Sequence, residues 1–130
     1  MPWEYEENPD RKHKRDWNEP VPGFVEHRGE LVGKCPTTIS VQLAKELLNG
    51  DDAVPYSPER WQDQSPERIY VVHEGQLYRA TPTTLGASYH GFPENPKRAQ
   101  QLPRELKERI LDVARKKQCE AEVARCLKGK

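Results

Sequence analysis

Two short runs of strand-forming residues, Ile69–His73 and Gln76–Thr81, stand two residues apart with Glu74-Gly75 between them. Val, Ile, Tyr and Thr favour the pleated backbone, and Gly75 can take the positive φ that a two-residue hairpin turn requires. Pairing outward from that turn puts Ile69, Val71, His73, Gln76, Tyr78 and Ala80 on one face and Tyr70, Val72, Leu77 and Arg79 on the other. Neither face is cleanly polar. The hairpin therefore calls for at least partial cover on both sides, which limits what the rest of the chain must supply.

The cover is helical. After Pro36, Thr37 or Thr38 can accept a backbone N–H as N-cap, and Ile39, Leu43, Leu47 and Leu48 then fall on one helical face. Asn49-Gly50 follows as a stop, since either residue tolerates the left-handed conformation beyond a last turn. The spacing predicts a helix over about 38–48. After Pro103, a favourable first helical residue, Leu106, Ile110, Val113, Ala114, Ala121, Ala124 and Leu127 keep one face for about six turns. That pattern predicts a long C-terminal helix over about 103–127, or two helices breaking near Gln118.

Between these elements the prolines read as interruptions. Residues 51–68 hold Pro55, Pro58 and Pro66 around Trp61, an ordered but irregular loop. Residues 82–102 hold Pro82, Gly86, Gly91, Pro93 and Pro96 and read as a long loop with at most a short strand at Ala87–His90. The fold class is α+β: a small antiparallel hairpin or sheet packed against the helix at 38–48 and the C-terminal helix or helix pair.

A chain of 130 residues is about one domain long, but an apolar fraction of 34%, mean hydropathy of −1.02 and twelve prolines imply a core smaller than that length allows. Residues 1–30 combine Pro2, Pro9, Pro20 and Pro22 with the charged run Asp10–Asp16 and show no apolar period. They read as a flexible tail, leaving 31–128 as a single compact domain. Trp3, Tyr5 and Trp17 are unusual for such a tail, and Trp17 or Phe24 is a candidate to dock.

Lys and Arg balance Asp and Glu at 21 each, so no overall field draws the molecule to nucleic acid or membrane. No apolar run reaches the length of a transmembrane helix, and the acidic opening lacks the character of a secretory signal. The expectation is a soluble cytoplasmic protein with no membrane partner. Three cysteines form no disulfide framework.

Several residue groups carry possible chemistry. His73, Arg79 and His90, beside Tyr89, contain the proton-transfer and anion-stabilising groups that a phosphodiester cleavage without metal would use. Tyr89, His90 and Phe92 sit on a Gly/Pro frame that suits stacking on a ligand if exposed and pins the segment to the sheet if buried. Tyr78-Arg79-Ala80 followed by Gly91-Phe92 superficially resembles the opening of ADP-ribosyltransferase folds over about fifteen residues. Those folds need further strands with a Ser/Thr motif and a catalytic Glu, and here only helical patterns follow Phe92.

A metal site from Cys35, Cys119 and Cys126 with His13 or His27 fails on spacing. Cys119 and Cys126 lie two helical turns apart, about 10.5 Å of rise, and fall opposite the apolar stripe. No cofactor motif occurs. The basic side chains between Lys97 and Arg125 scatter around the solvent side of their helix, interleaved with Glu105, Glu108 and Asp112, which favours a solvated surface over a nucleic-acid footprint. The leading expectation is a non-enzymatic interaction module with a protein partner, using the 82–98 loop and the aromatic tail. The alternative is a small metal-independent nuclease or transferase centred on His90, His73 and Arg79.

Overall fold

A computed structural model describes residues 3–6, 23–27, 30–34, 40–62 and 64–130. Its elements run β1 (Glu4–Tyr5), β2 (Gly23–His27), β3 (Glu30–Lys34), α1 (Val41–Leu48), β4 (Val54–Tyr56), β5 (Arg68–His73), β6 (Gln76–Thr84), β7 (Ser88–Pro93), α2 (Pro96–Gln100), α3 (Arg104–Lys116) and α4 (Glu120–Leu127). Five strands form one sheet in the order β1-β7-β6-β5-β4, antiparallel throughout except for β1, which joins β7 in parallel. β2 and β3 form a separate antiparallel pair. The α+β class holds, with a larger sheet than the hairpin alone.

The hairpin has the register that its turn dictates, with His73 opposite Gln76 and Ile69 opposite Ala80. Glu74 and Gly75 both have positive φ, 48° and 80°, the twist that matches the flanking strands. Both faces are covered. Tyr70, Val72 and Leu77 are buried against Leu106, Ile110, Ala114, Val123 and Leu127 of α3 and α4. Ile69, Val71, Tyr78 and Ala80 pack with Tyr89 and Leu48, backed by Leu43 and Leu47 of α1 and by Trp3 and Tyr5.

The long loop expected over 82–102 is instead mostly regular. β6 runs on to Thr84, a turn closes through Ala87 N–H to the Thr84 carbonyl with Gly86 at φ 79°, and β7 returns to Pro93. Prolines fit because each sits where its missing N–H would face no partner. Glu94 N–H donates to the Leu77 carbonyl, so on β6 the odd-numbered residues bond to β7 and Pro82 points toward β5, whose pairing has already ended at Ile69. By the same alternation Pro93 faces outward past the end of β1, and Pro55 lies on the outer side of β4. A register shift between Pro82 and Thr84 absorbs the remaining irregularity.

Part of the expected tail belongs to the sheet. Glu4 N–H donates to the Ala87 carbonyl and Glu6 N–H to the Tyr89 carbonyl, while Asn49 clasps Trp3 through both its backbone N–H (2.6 Å) and its carbonyl (2.8 Å). Beyond β1 the Tyr5 hydroxyl takes over the edge, accepting from Gly91 N–H and donating to the Gly91 carbonyl. Phe24 lies in β2, and Trp17 lies outside the described residues.

Helix ends differ in detail from expectation. The N-cap of α1 is Ser40, whose Oγ accepts Leu43 N–H at 3.0 Å, and Thr37 and Thr38 lie outside the described residues. Its C-cap Asn49 has φ −102°, not the left-handed value, and the turn closes through Gly50 N–H to the Leu47 carbonyl. The C-terminal pattern does break at Gln118, which takes φ 60°. Gln118 N–H to the Arg115 carbonyl and Cys119 N–H to the Ala114 carbonyl complete a Schellman closure of α3, and Gly129 closes α4 in the same way. Cys119 and Cys126, expected opposite the apolar stripe, are half-buried against the α3–α4 core because that break rotates the second helix's face relative to the first.

Candidate functional site

The most unusual chemistry lies where the α2–α4 side of the sheet runs out of aliphatic cover. Alternation along β5 puts Arg68 and Tyr70 on that side, and the hairpin register sets Arg79 directly across from Tyr70. Glu94 follows β7 and is held across from Leu77, which places its carboxylate under the same group, with 1% of the side chain exposed. Arg98 comes from α2, whose N-cap is the Asn95 side chain. The end of β4 brings Tyr56, and the irregular segment after it brings Pro58 and Arg60. Arg60, Arg68, Arg79 and Arg98 thus line one cleft of about 380 Å³, completed by Leu102 and Pro103 at the start of α3.

Behind the lining residues Arg68 and Arg79 lies a buried polar network. Glu94 Oε1 accepts Asn95 N–H at 2.9 Å, and Oε2 lies 3.5 Å from the Tyr70 hydroxyl and 3.7 Å from Arg79 Nη1. Arg68 Nη1 donates to the Tyr70 hydroxyl at 3.2 Å, and its guanidinium lies 6.0 Å from the Tyr56 ring centroid. Arg79 lies 5.8 Å from the centroid of Phe92, its cross-strand neighbour. Two carboxylates, Glu94 below and Glu67 beside Arg68 at 3.2 Å, stand against four guanidiniums. Among the described residues, guanidiniums outnumber carboxylates at the cleft.

Two of these guanidiniums are incompletely satisfied among the described residues. Arg68 Nε and Arg79 Nε are buried and make no hydrogen bond, the former despite its proximity to Glu67, because the donor direction is wrong. Burial lowers the proton affinity of the Arg79 guanidinium despite the opposing pull of Glu94. Burial acts the same way on Arg68, but the Tyr70 hydroxyl, Glu67 and Glu94 outweigh it and leave its value raised. Burial, with Glu94 adding to it, pushes the Tyr70 phenol up and keeps it a neutral donor. An anion seated among the guanidinium termini would offset the desolvation that the fold alone leaves uncompensated.

Neither histidine lines the cleft, although His90 shares the sheet face of Arg79 and lies beside Phe92, ring centroids 6.4 Å apart. His73 is at the hairpin tip on the α1 face, with Nε2 4.0 Å from Glu74, while Arg79 projects from the opposite face. His90 pairs with Thr81, and its ring is held by two hydroxyls, Thr81 Oγ1 at 3.2 Å from Nε2 and Thr83 Oγ1 at 2.7 Å from Nδ1. Tyr89 is fully buried, donates its hydroxyl to the Pro66 carbonyl at 2.6 Å and meets Trp3 edge-on at 5.4 Å. Phe92 is half-buried beside Arg79. Of the residues singled out in the sequence, Arg79 and Arg98 line the cleft and Phe92 adjoins it.

Arg60, Arg68 and Glu94 carried no local signal, because they come from separate segments that only the sheet brings together, and Arg98 was legible only as part of the 82–98 loop and of a basic segment read as solvated surface. The one available hint was Arg68-x-Tyr70 paired with Arg79, a polar cluster on a hairpin face that otherwise points inward. Among the described residues no three His, Cys, Asp or Glu side chains converge as a metal site would require, and no helix is long and apolar enough to cross a membrane. No protein-family model matches the chain, and neither curated proteins nor solved structures show a significant similarity to it.

Proposed function

We propose that this protein is a small recognition module that holds a compact anionic group in the arginine cleft and carries out no chemistry on it. The observation that carries this reading is the convergence of Arg60, Arg68, Arg79 and Arg98 on one concave site backed by a buried Tyr70–Glu94 layer. Guanidinium forks from several directions suit phosphate or carboxylate oxygens, and a buried layer that holds Arg68 by a hydrogen bond and Arg79 by an ion pair orients two of them in advance. The 82–98 segment takes part through Arg98. The alternative of a metal-independent nuclease or transferase needs a proton-transfer group beside the guanidiniums, and the engagement of both His90 ring nitrogens by threonines favours the binding reading.

The test is a heteronuclear NMR titration of the full chain with inorganic phosphate, against sodium chloride at matched ionic strength. The Nε–H signal of Arg79, buried and slow to exchange, and the amides of Arg98 and its neighbours should shift saturably with phosphate alone. Arg98→Ala, a substitution of an exposed side chain, should weaken that response by about tenfold. Equal shifts with chloride, or shifts spread evenly over surface lysines, would sink the proposal.

A further inference from the structure

We infer, resting on the anion-binding reading above, that the ligand is a phosphorylated side chain of a peptide, with a neighbouring apolar or basic residue seated in a second, adjoining cleft. That second cleft, of about 450 Å³, shares Arg60 and Arg79 with the first, so the two form one trough with a cationic middle. The halves differ in character. Arg68 and Arg98 line only the first, whereas Glu67, Trp61, Pro82 and Leu85 line only the second.

This asymmetry selects among anions. A phosphomonoester concentrates close to two charges and three terminal oxygens on one group, which several guanidiniums can engage from different directions. A nucleic-acid strand carries one charge per phosphodiester and continues along the trough, so a following phosphate would meet the Glu67 carboxylate. The balanced net charge also supplies no long-range field to gather a polyanion. A peptide brings a single dianion with neutral or basic neighbours, and Glu67 beside apolar walls complements both. Leu85, 60% exposed, and Trp61, whose indole N–H is committed to the Ser65 carbonyl at 2.7 Å, present hydrocarbon to such a neighbour.

The experiment measures binding of the full chain to short peptide libraries with a central phosphoserine, phosphothreonine or phosphotyrosine, to the same libraries unphosphorylated, and to a labelled oligothymidylate. Phosphorylated peptides should bind about tenfold or more tightly than their unphosphorylated forms, with Leu, Phe, Lys or Arg enriched beside the phosphoresidue. Arg98→Ala and Arg60→Ala, both surface changes whose folding circular dichroism can confirm, should weaken all phosphopeptides. Glu67→Gln should erase the preference for a basic neighbour while peptides with apolar neighbours bind as well or better. Equal binding of phosphorylated and plain peptides, tighter binding of the oligothymidylate, or an unchanged neighbour preference in Glu67→Gln would overturn the inference. Phosphate-induced shifts at Arg79 and Arg98 with no competing phosphopeptide would overturn it too, while leaving the anion-binding reading in place.

Discussion

The two faces of the sheet are made of alternate residues of the same strands, yet they are closed by different means. On one side α3 and α4 lay Leu106, Ile110, Val113, Val123 and Leu127 over Tyr70, Val72 and Leu77, a mainly aliphatic core that relies on area and packing. On the other, a two-turn α1 and the strand at Glu4–Tyr5 do the work, and directional bonds supplement a thinner apolar layer: Asn49 to Trp3, Tyr5 to Gly91, Tyr89 to the Pro66 carbonyl. The difference shows where charge can be accommodated. Guanidiniums gather at the margin of the thick aliphatic side, where burial is deep enough to orient Arg79 and Arg68 and open enough to leave their termini facing a cleft.

The contrast breaks most directly in the cores. Ile110→Ala, at a fully buried position on the thick side, should cost about 4 kcal/mol in urea unfolding, and Leu48→Ala on the α1 side about 2 kcal/mol. Equal losses would mean that the two sides do not differ in packing. Next in size is the charged margin. Glu94→Gln removes the buried countercharge of Arg79 and weakens the acceptor for Tyr70 and Asn95, and should cost about 3 kcal/mol. A neutral result would show that Arg79 does not depend on that carboxylate.

The α1 side should answer to a single hydrogen-bonding side chain. Asn49→Ala should lose about 1–2 kcal/mol and, more tellingly, raise amide exchange at Glu6, whose N–H is bonded to Tyr89. Protection of Glu6 that survives would place the edge strand's stability in the aromatic contacts instead. The smallest effect sharpens the helix pair: Gln118→Gly relieves a side chain at φ 60° and should stabilise by about 0.5–1 kcal/mol in thermal unfolding.

Alkali offers a further separation of the two sides. Burial, with Glu94 adding to it, pushes the Cys126 thiol up to about 11, and burial raises Tyr70 as well. Both groups stay protonated in the fold when the unfolded chain has begun to ionise, so the native state then holds more protons. The stability that Cys126 contributes is complete below the ordinary thiol range and is lost as pH rises through about 11, and that of Tyr70 is complete below the ordinary phenol range and is lost above it. Both groups lie on the α3–α4 side, so Cys126→Ser should flatten the decline in denaturation midpoint up to about pH 11 and Tyr70→Phe should flatten it above the ordinary phenol range.

Much of the scaffold was readable from local pattern. A period of two around Glu74-Gly75 gave the hairpin, its register and the need for cover on both sides, and a period of 3.6 gave α1 and α3 but left one helix or two open beyond, with Ala121 on a face that the structure exposes while it buries Val123. The prolines misled, because composition alone reads Pro82 and Pro93 as loop, whereas their tolerance depends on which edge of a strand still has a neighbour. The aromatic opening misled in the same way, since Glu4–Tyr5 becomes a strand only when β7 is there to receive it. At the candidate site Arg79 was readable as a charged residue on an inward face and Arg98 as one member of a basic segment, and their companions were not.

Local order in this chain follows from interactions between residues a few positions apart, and the sequence by itself determined those: the turn, the helical faces, the alternation that set Tyr70 and Arg79 on one side. The arginine cleft depends on distance relations of another kind. Arg60, Arg68, Arg79, Glu94 and Arg98 come together only because strand pairing fixes β5, β6 and the end of β7 side by side and α2 folds back beyond them. Their pairing energies exist only at that separation, and no residue pattern read along the chain encodes it.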